Sequence, residues 1–251
     1  MSDTLLVAGF NKEPEIFYTV EGEGRFAGYP SVFLRLAMCN LTCKGFASKD
    51  SPHGCDSYVS WSVKNKLTFE EIFTIFEKNV FIEKLRDGAL LKITGGEPLI
   101  QQNALLDFVK QFVIRYGFLP QIDFETNGTI MPVDEWVDTF NATFTTSPKL
   151  ANNGDDEDKR FKELVLRRLV EYQACFKFVI KTDADLREVH DKYVNNPKIK
   201  LPKSLIYLMP CCGSRQEQGA VAQTVAELCK NYGVKFSARL HLLIWDRALR
   251  V

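Results

Sequence analysis

Residues 89–98 read ALLKITGGEP, and how this stretch folds settles the class of the whole chain. A short, largely apolar run that ends on two glycines has the pattern of a buried strand. Glycines placed directly after a strand let the backbone approach a ligand closely, although Gly-Gly-Glu-Pro alone is equally a tight turn. The same arrangement, a strand and then a motif, recurs on both sides. Upstream, SVFLRLAM (31–38) is a strand ending at Cys39. Downstream, QIDFET (121–126) leads into ETNG (125–128), and ATFTTSP (142–148) stops at SPK (147–149). CFKFVIKT (175–182) and SLIYLMP (204–210) follow.

Helices are expected between these strands. Thr68 and Glu71 form a capping box, and Phe69, Ile72, Phe73, Phe76 and Val80 recur at helical spacing, which predicts a helix over 69–86. Further helices are expected at 104–117 (ended by Gly117), 133–140, 160–171, 185–195 and 219–232, before VKFSARLHLLIW (234–245). Alternating strands and helices imply parallel strands joined by right-handed crossovers. The expected fold is α/β, a partial or distorted TIM-like β/α barrel, with a doubly wound open sheet as the alternative. Either places its chemistry at the C-terminal strand ends. Cys39, TGGEP (94–98), ETNG, SPK, MPCC (209–212) and RLH (239–241) all fall there.

Composition narrows the class. The chain has 251 residues, 45% of them hydrophobic and 25% charged, as in ordinary globular proteins. Its formal net charge is zero, so no global field draws it to nucleic acid or to an anionic membrane. No apolar run approaches the roughly 20 residues of a membrane span. MSDTLLVAGFNKEPE lacks the basic start and cleavage site of a signal peptide. A cytoplasmic protein with reduced thiols is expected, whose seven cysteines are core residues, ligands or nucleophiles. NNGDDEDKR (152–160) reads as a solvated surface turn. Cys211 and Cys212, with only Cys175 and Cys229 as companions, read as small buried hydrophobes.

The chemistry concentrates in CNLTCKGFASKDSPHGC (39–55). Three thiolates from Cys39, Cys43 and Cys55 suit three corners of an iron–sulfur cube whose fourth iron has no protein ligand. An unfilled iron, like a catalytic zinc's open position, is a place for a small molecule. A zinc site completed by His53, and cysteines without any metal, are the alternatives.

The order CNLTC…C then TGGEP resembles the radical S-adenosylmethionine superfamily, in which S-adenosylmethionine chelates the fourth iron of a 4Fe–4S cluster. More of the chain resembles one branch. TVEGEGRFAGYPSVFLRLAMCNLTC (19–43), CDS (55–57), TGGEPLIQ (94–101), ETNGT (125–129), SPK and FSARLHLLIW (236–245) are similar, in order, to the 7-carboxy-7-deazaguanine synthase family. That resemblance implies a single domain over 1–251, with a cluster loop at 39–57 and an elaborated C-terminal segment at 204–251. It implies ring contraction of 6-carboxy-5,6,7,8-tetrahydropterin with loss of ammonia, using Mg²⁺. It also implies a flavodoxin or ferredoxin as electron donor, and a homodimer.

Carried onto this sequence, the resemblance makes Cys39, Cys43 and Cys55 the cluster ligands and Ser57 the magnesium ligand. Gly96, Ser147, Pro148 and Lys149 meet S-adenosylmethionine, with Glu97 and Asn127 as further contacts and Glu97 able to receive an ammonium. Substrate meets Val20, Glu21, Gly22, Arg35, Thr94 and the Val251 terminus, with Glu23 at the amino-pyrimidine edge and His241 nearby. Arg35 offers a guanidinium fork to the pterin carboxylate.

Three departures stand out: Glu21 replaces the family's Gln, the loop from Cys43 to Cys55 is long, and RALRV replaces a Gly-rich ending. The loop is expected to be an ordered flap over the cluster. A radical activase acting on a partner protein is the second enzyme reading, and a Cys3His zinc scaffold the non-enzymatic one.

Overall fold

The computed structural model describes residues 3–47 and 52–248. Its strands are β1 (Thr4–Phe10), β2 (Glu13–Pro14), β3 (Ile16–Val20), β4 (Pro30–Leu36), β5 (Lys64–Thr68) and β6 (Leu90–Gly95) in the first half of the chain. β7 (Ile122–Thr126), β8 (Thr143–Thr146), β9 (Cys175–Ile180), β10 (Ile206–Pro210) and β11 (Lys235–Phe236) complete them. They form one sheet in the order β11-β10-β9-β8-β7-β6-β4-β1-β2, with β3 beside β4 and β5 beside β1. Every pairing from β4 to β11 is parallel. The N-terminal strands pair antiparallel at the β4 edge. Among the described residues no pairing returns from β11 to these strands, so the sheet curves as a partial barrel without closing.

Side-chain alternation decides between a barrel and a sheet covered on both faces. Val32, Leu34, Leu36, Leu91, Ile93, Ile122, Phe124, Phe144, Phe176, Phe178, Ile206 and Leu208 point outward into one apolar core shared with the helices. The residues between them point inward, and register aligns them: Arg35 beside Thr94, Lys92 beside Asp123, Glu125 beside Thr145, and Lys177 beside Tyr207. A parallel sheet covered by helices on both faces would be apolar on both. Here the inner face is polar and charged, as expected of a barrel interior that holds a site.

The expected strands and the Thr68–Glu71 capping box are present. The helix expected over 69–86 is instead two, Phe69–Lys78 and Phe81–Arg86. Val80 sits between them at φ 61 with 51% of its surface exposed, so the periodic position it fills in sequence is not a core position. The 160–171 region likewise divides into Glu157–Arg160 and Glu163–Glu171. Asp183–Val189 continues into a wider π turn, His190–Val194. FSARLHLLIW holds the end of β11 and then the helix Leu240–Trp245.

Sequence reading began the sheet at residue 31 and so missed β1, β2, β3 and β5. β5, KNKLT, is a polar edge strand with little apolar signal. None of the described helices is long and apolar enough to cross a membrane.

Candidate functional site

The C-terminal end of β4 turns sharply at Met38 (φ 77) to present Cys39. Gly95 and Gly96 lie directly against this turn. Gly96 N donates to Leu36 O (3.2 Å) and Glu97 N to Met38 O (2.9 Å). A Cβ on Gly96 would stand 2.1 Å from Met38 O and 2.7 Å from Cys39 Cβ. The glycine pair was expected to admit a ligand; the close approach is made by the cysteine-bearing chain itself.

Glu97 also departs from expectation. It is 0% exposed, and its carboxylate accepts from Leu99 N, the Thr126 hydroxyl and Asn127 N (2.7 Å). Instead of facing a ligand's ammonium, it ties the end of β6 to the end of β7. Burial pushes its pKa up to about 7 against these donors.

The cysteine loop is clamped from the acidic segment. Asp155 accepts from Thr42 N (3.1 Å), the Thr42 hydroxyl (2.6 Å) and Cys43 N (3.1 Å). Asn153, 0% exposed, places its amide nitrogen 3.7 Å from Cys43 Sγ. The expected solvated turn is therefore a clasp on Cys43, which itself sits at φ 50. Gly54 packs so closely on Cys43 O that a Cβ would stand 2.2 Å away, which brings the Cys55 end of the loop back to Cys43. Residues 48–51, the middle of the expected flap, lie outside the described residues.

None of the cysteines is in a disulfide. Burial pushes the Cys39 thiol up to about 12, and Cys43 bears on it electrostatically; burial also raises Cys43, which in turn feels Cys55. Lys149 draws both Cys39 and Cys43 toward thiolate, with its Nζ held by Ser147 O and Oγ at 3.0 Å. Ser147 and Pro148 are buried beside it.

Buried thiols need a positive partner to ionise, and amide donors aimed at the sulfurs favour that charge. This donor set fits an iron–sulfur cluster. A single zinc would need its ligands within about 2.3 Å of one point. Among the described residues no three His, Cys, Asp or Glu side chains, these cysteines included, converge on one point. His53, the proposed fourth zinc ligand, is instead stacked on Tyr58 at 4.3 Å.

Below this rim lies a charge network. Lys92 reaches Asp123 (2.7 Å), Glu21 (3.0 Å) and Glu125 (4.0 Å). Lys177 pairs with Glu125 (2.6 Å) and with Glu23, whose other oxygen accepts from Arg239 Nε (2.9 Å). Burial opposes the charge on Lys92, yet Asp123 and Glu21 hold its pKa well above the ordinary value. Burial dominates at Glu21 and raises its pKa. At Glu23 burial also opposes charge, but Lys177 and Arg239 hold the carboxyl well below its usual range. Glu23, expected at the amino-pyrimidine edge, thus has both oxygens engaged. Glu21, the residue marked above as a departure, lies against Lys92, so its carboxyl faces a cation inside the barrel.

Residues 21–25 bridge the inner face toward the C-terminal segment. Gly22 O accepts from Leu240 N (2.8 Å), and Gly24 N donates to the Ser237 hydroxyl (2.9 Å). A Cβ on Gly22 would stand 2.2 Å from His241 Nδ1, so the imidazole closes on this turn; burial lowers its pKa. Arg239 also holds Asp56 (2.6 Å), and Ser57 donates its hydroxyl to Asp56 (3.1 Å), leaving the Ser57 oxygen free to accept.

Thr94, buried on the inner face, neighbours Arg35 in register. Arg35 lies 3.4 Å from Glu15, and its Nε makes no hydrogen bond. Val20 ends β3. Val251 lies outside the described residues.

Sequence reading missed Asn153, Asp155, Lys92, Asp123 and Lys177. A lysine amid apolar strand residues, as in LLKIT and FKFVI, was the available signal, because a buried lysine requires carboxylates.

The chain is similar to known proteins along most of its length. A family model described as "4Fe-4S single cluster domain" matches residues 20–131. The 7-carboxy-7-deazaguanine synthase of Hyperthermus butylicus is 29% identical over 240 residues, covering 92% of this chain and 91% of that one. The proteins of that name from Halobacterium salinarum (28% identical; 93% and 90% covered) and Pyrobaculum aerophilum (29%; 93% and 94%) match as fully. The crystal structure of QueE from Escherichia coli shares the fold, with a TM-score of 0.65 at 21% identity over 95% of both chains. With its cysteine rim, its partial barrel and this likeness along nearly its whole length, the chain is similar to the 7-carboxy-7-deazaguanine synthases.

Proposed function

We propose that this protein is itself a 7-carboxy-7-deazaguanine synthase, a carbon–nitrogen lyase that contracts the ring of 6-carboxy-5,6,7,8-tetrahydropterin with loss of ammonia. The observation that carries this reading is its likeness to synthases of that name over 92–93% of the chain. When bound at Cys39, Cys43 and Cys55, a 4Fe–4S cluster with S-adenosylmethionine supplies one-electron chemistry that opens a radical reaction. The protein's own residues bind, orient and shield.

Gly96, Asn127 and residues 147–149 line the rim on which S-adenosylmethionine rests. Arg35 offers its guanidinium to the pterin carboxylate, with Thr94 beside it. Residues 20–22 and His241 close over the pterin plane, and Lys92 and Lys177 hold the surrounding carboxylates in place. A bound Mg²⁺ takes the Ser57 hydroxyl and substrate oxygens, since this ion keeps few protein ligands. A reduced flavodoxin or ferredoxin supplies the electron to a cytoplasmic homodimer, and the product enters 7-deazapurine synthesis of the queuosine type.

The test is incubation of anaerobically reconstituted protein with a reductant, S-adenosylmethionine, Mg²⁺ and 6-carboxytetrahydropterin. The expected products are 7-carboxy-7-deazaguanine and ammonia. Cleavage of S-adenosylmethionine without either product would reject the substrate and favour an activase.

A further inference from the structure

Two asparagines outside the cysteine motif turn their amide nitrogens toward cysteine sulfurs. Asn153 Nδ2 stands 3.7 Å from Cys43 Sγ, and Asn127 Nδ2 stands 4.0 Å from Cys39 Sγ. An amide's two ends are told apart by their partners. Asp155 N donates to Asn153 Oδ1 at 3.0 Å, so the oxygen faces that N–H and the NH2 group faces the sulfur. One hydrogen of that NH2 goes to Asp155 Oδ2 (2.8 Å), which leaves the other for Cys43. At Asn127, Thr129 N and the Thr129 hydroxyl donate to Oδ1 (3.0 and 2.6 Å), and Nδ2 donates to Asn40 Oδ1 (2.9 Å) and toward Cys39. Asn153 and Asn127 are 0% and 5% exposed, and Cys43 is buried while Cys39 is half-buried, so water is kept from the Asn153–Cys43 contact more fully than from the other.

We infer that Asn153, and more weakly Asn127, are positioning residues that donate N–H to the Cys43 and Cys39 thiolates and thereby set the reduction potential of the bound cluster. The inference rests on the reading of these cysteines as cluster ligands. Reduction adds negative charge that spreads onto the sulfurs. A donor at a sulfur stabilises the reduced form more than the oxidised form and raises the potential. Asn153 has the shorter contact and the more complete burial, so it carries the larger effect. Asp155 fixes its orientation.

The experiment compares wild type, Asn153→Leu and Asn127→Leu, each anaerobically reconstituted. Iron and sulfide are counted, and reduction is followed by EPR at controlled potential. Asn153→Leu is expected to keep its iron while the ratio of reduced to oxidised cluster at fixed potential falls about tenfold, a shift of about 59 mV for one electron. Asn127→Leu is expected to shift less. Full iron with an unchanged potential in Asn153→Leu would overturn the inference and leave the cluster reading intact. Wild type without iron would reject both.

Should Asn153→Leu fail to hold iron, pulsed EPR of the reduced wild type labelled with [¹⁵N]asparagine decides. A resolved ¹⁵N coupling that persists in Asn127→Leu supports donation from Asn153. Its absence rejects it.

Discussion

The two faces of β6 and β7 are built from alternate residues of the same strands, yet they are stabilised in opposite ways. Outward, Leu91, Ile93, Ile122 and Phe124 are fixed by burial against helices. Inward, Lys92 and Asp123 are equally buried and are fixed by pairing with each other and with Glu21. Apolar packing is a sum of many small contacts and tolerates exchange of similar volumes. A buried charge has a few large interactions, and removing one partner leaves the others unpaired. The outer face can therefore change its residues freely, while the inner face must change them together.

Adjacent residues offer the sharpest way to break this contrast. Lys92→Met fills nearly the same volume but leaves Asp123 and Glu21 without their cation. It is expected to cost about 3–5 kcal/mol in denaturant unfolding. Leu91→Met, one residue along and facing outward, is expected to cost less than about 1.5 kcal/mol. Equal costs would mean that the two faces do not differ as described.

Glu97 has neither arrangement, being a buried carboxylate held by neutral donors. Its folded pKa, about 7, lies above the ordinary 4.5, so the folded state binds more protons than the unfolded state between these values. Stability from this group is complete below about pH 4.5, falls as pH rises, and is fully lost above about 7, a change of about 3 kcal/mol. His241, lowered by burial, acts in the opposite direction over part of the same range. The difference between wild type and Glu97→Gln isolates the Glu97 slope. Unfolding curves from pH 4.5 to 8 are expected to fall more steeply for wild type, and parallel curves would contradict the assignment.

The smallest contrast lies within the acidic segment. Asp155→Ala removes the acceptor for Thr42 and Cys43, with an expected cost of about 1–2 kcal/mol and weaker iron retention after reconstitution. Asp156→Ala, at a side chain that is 74% exposed, is expected to stay within about 0.5 kcal/mol with full iron. Iron loss in both variants would mean that the segment acts through its charge rather than through the Asp155 clasp.

How much of this was legible in sequence follows from the range of each interaction. The Thr68–Glu71 box and the stop at Gly117 join residues close in the chain, and local reading found them. β6 to β9 were visible as apolar runs with breakers, and the motifs at the ends of β6 and β7 do lie beside Cys39. Asn153 meets Cys43 across 110 residues, so the segment NNGDDEDKR showed only its polarity. Lys92 finds Asp123 31 residues away and Glu21 still farther, so LLKIT could signal a buried cation but not which carboxylates meet it. Val80 kept the helical period in sequence, but its left-handed backbone cannot be read from spacing. Glu97 was recognised through its motif but assigned to a ligand, since nothing local shows that Thr126 and Asn127 take its carboxylate.

The central claim is that Cys39, Cys43 and Cys55 hold a cluster with one iron open to S-adenosylmethionine. Mössbauer spectroscopy of protein reconstituted with ⁵⁷Fe tests it directly. The prediction is a 4Fe–4S cluster in each chain, with the signal of one iron moving when S-adenosylmethionine is added, and loss of the whole cluster on Cys55→Ala. Iron that is indifferent to S-adenosylmethionine, or a cluster that survives Cys55→Ala but not Cys211→Ala, would contradict it.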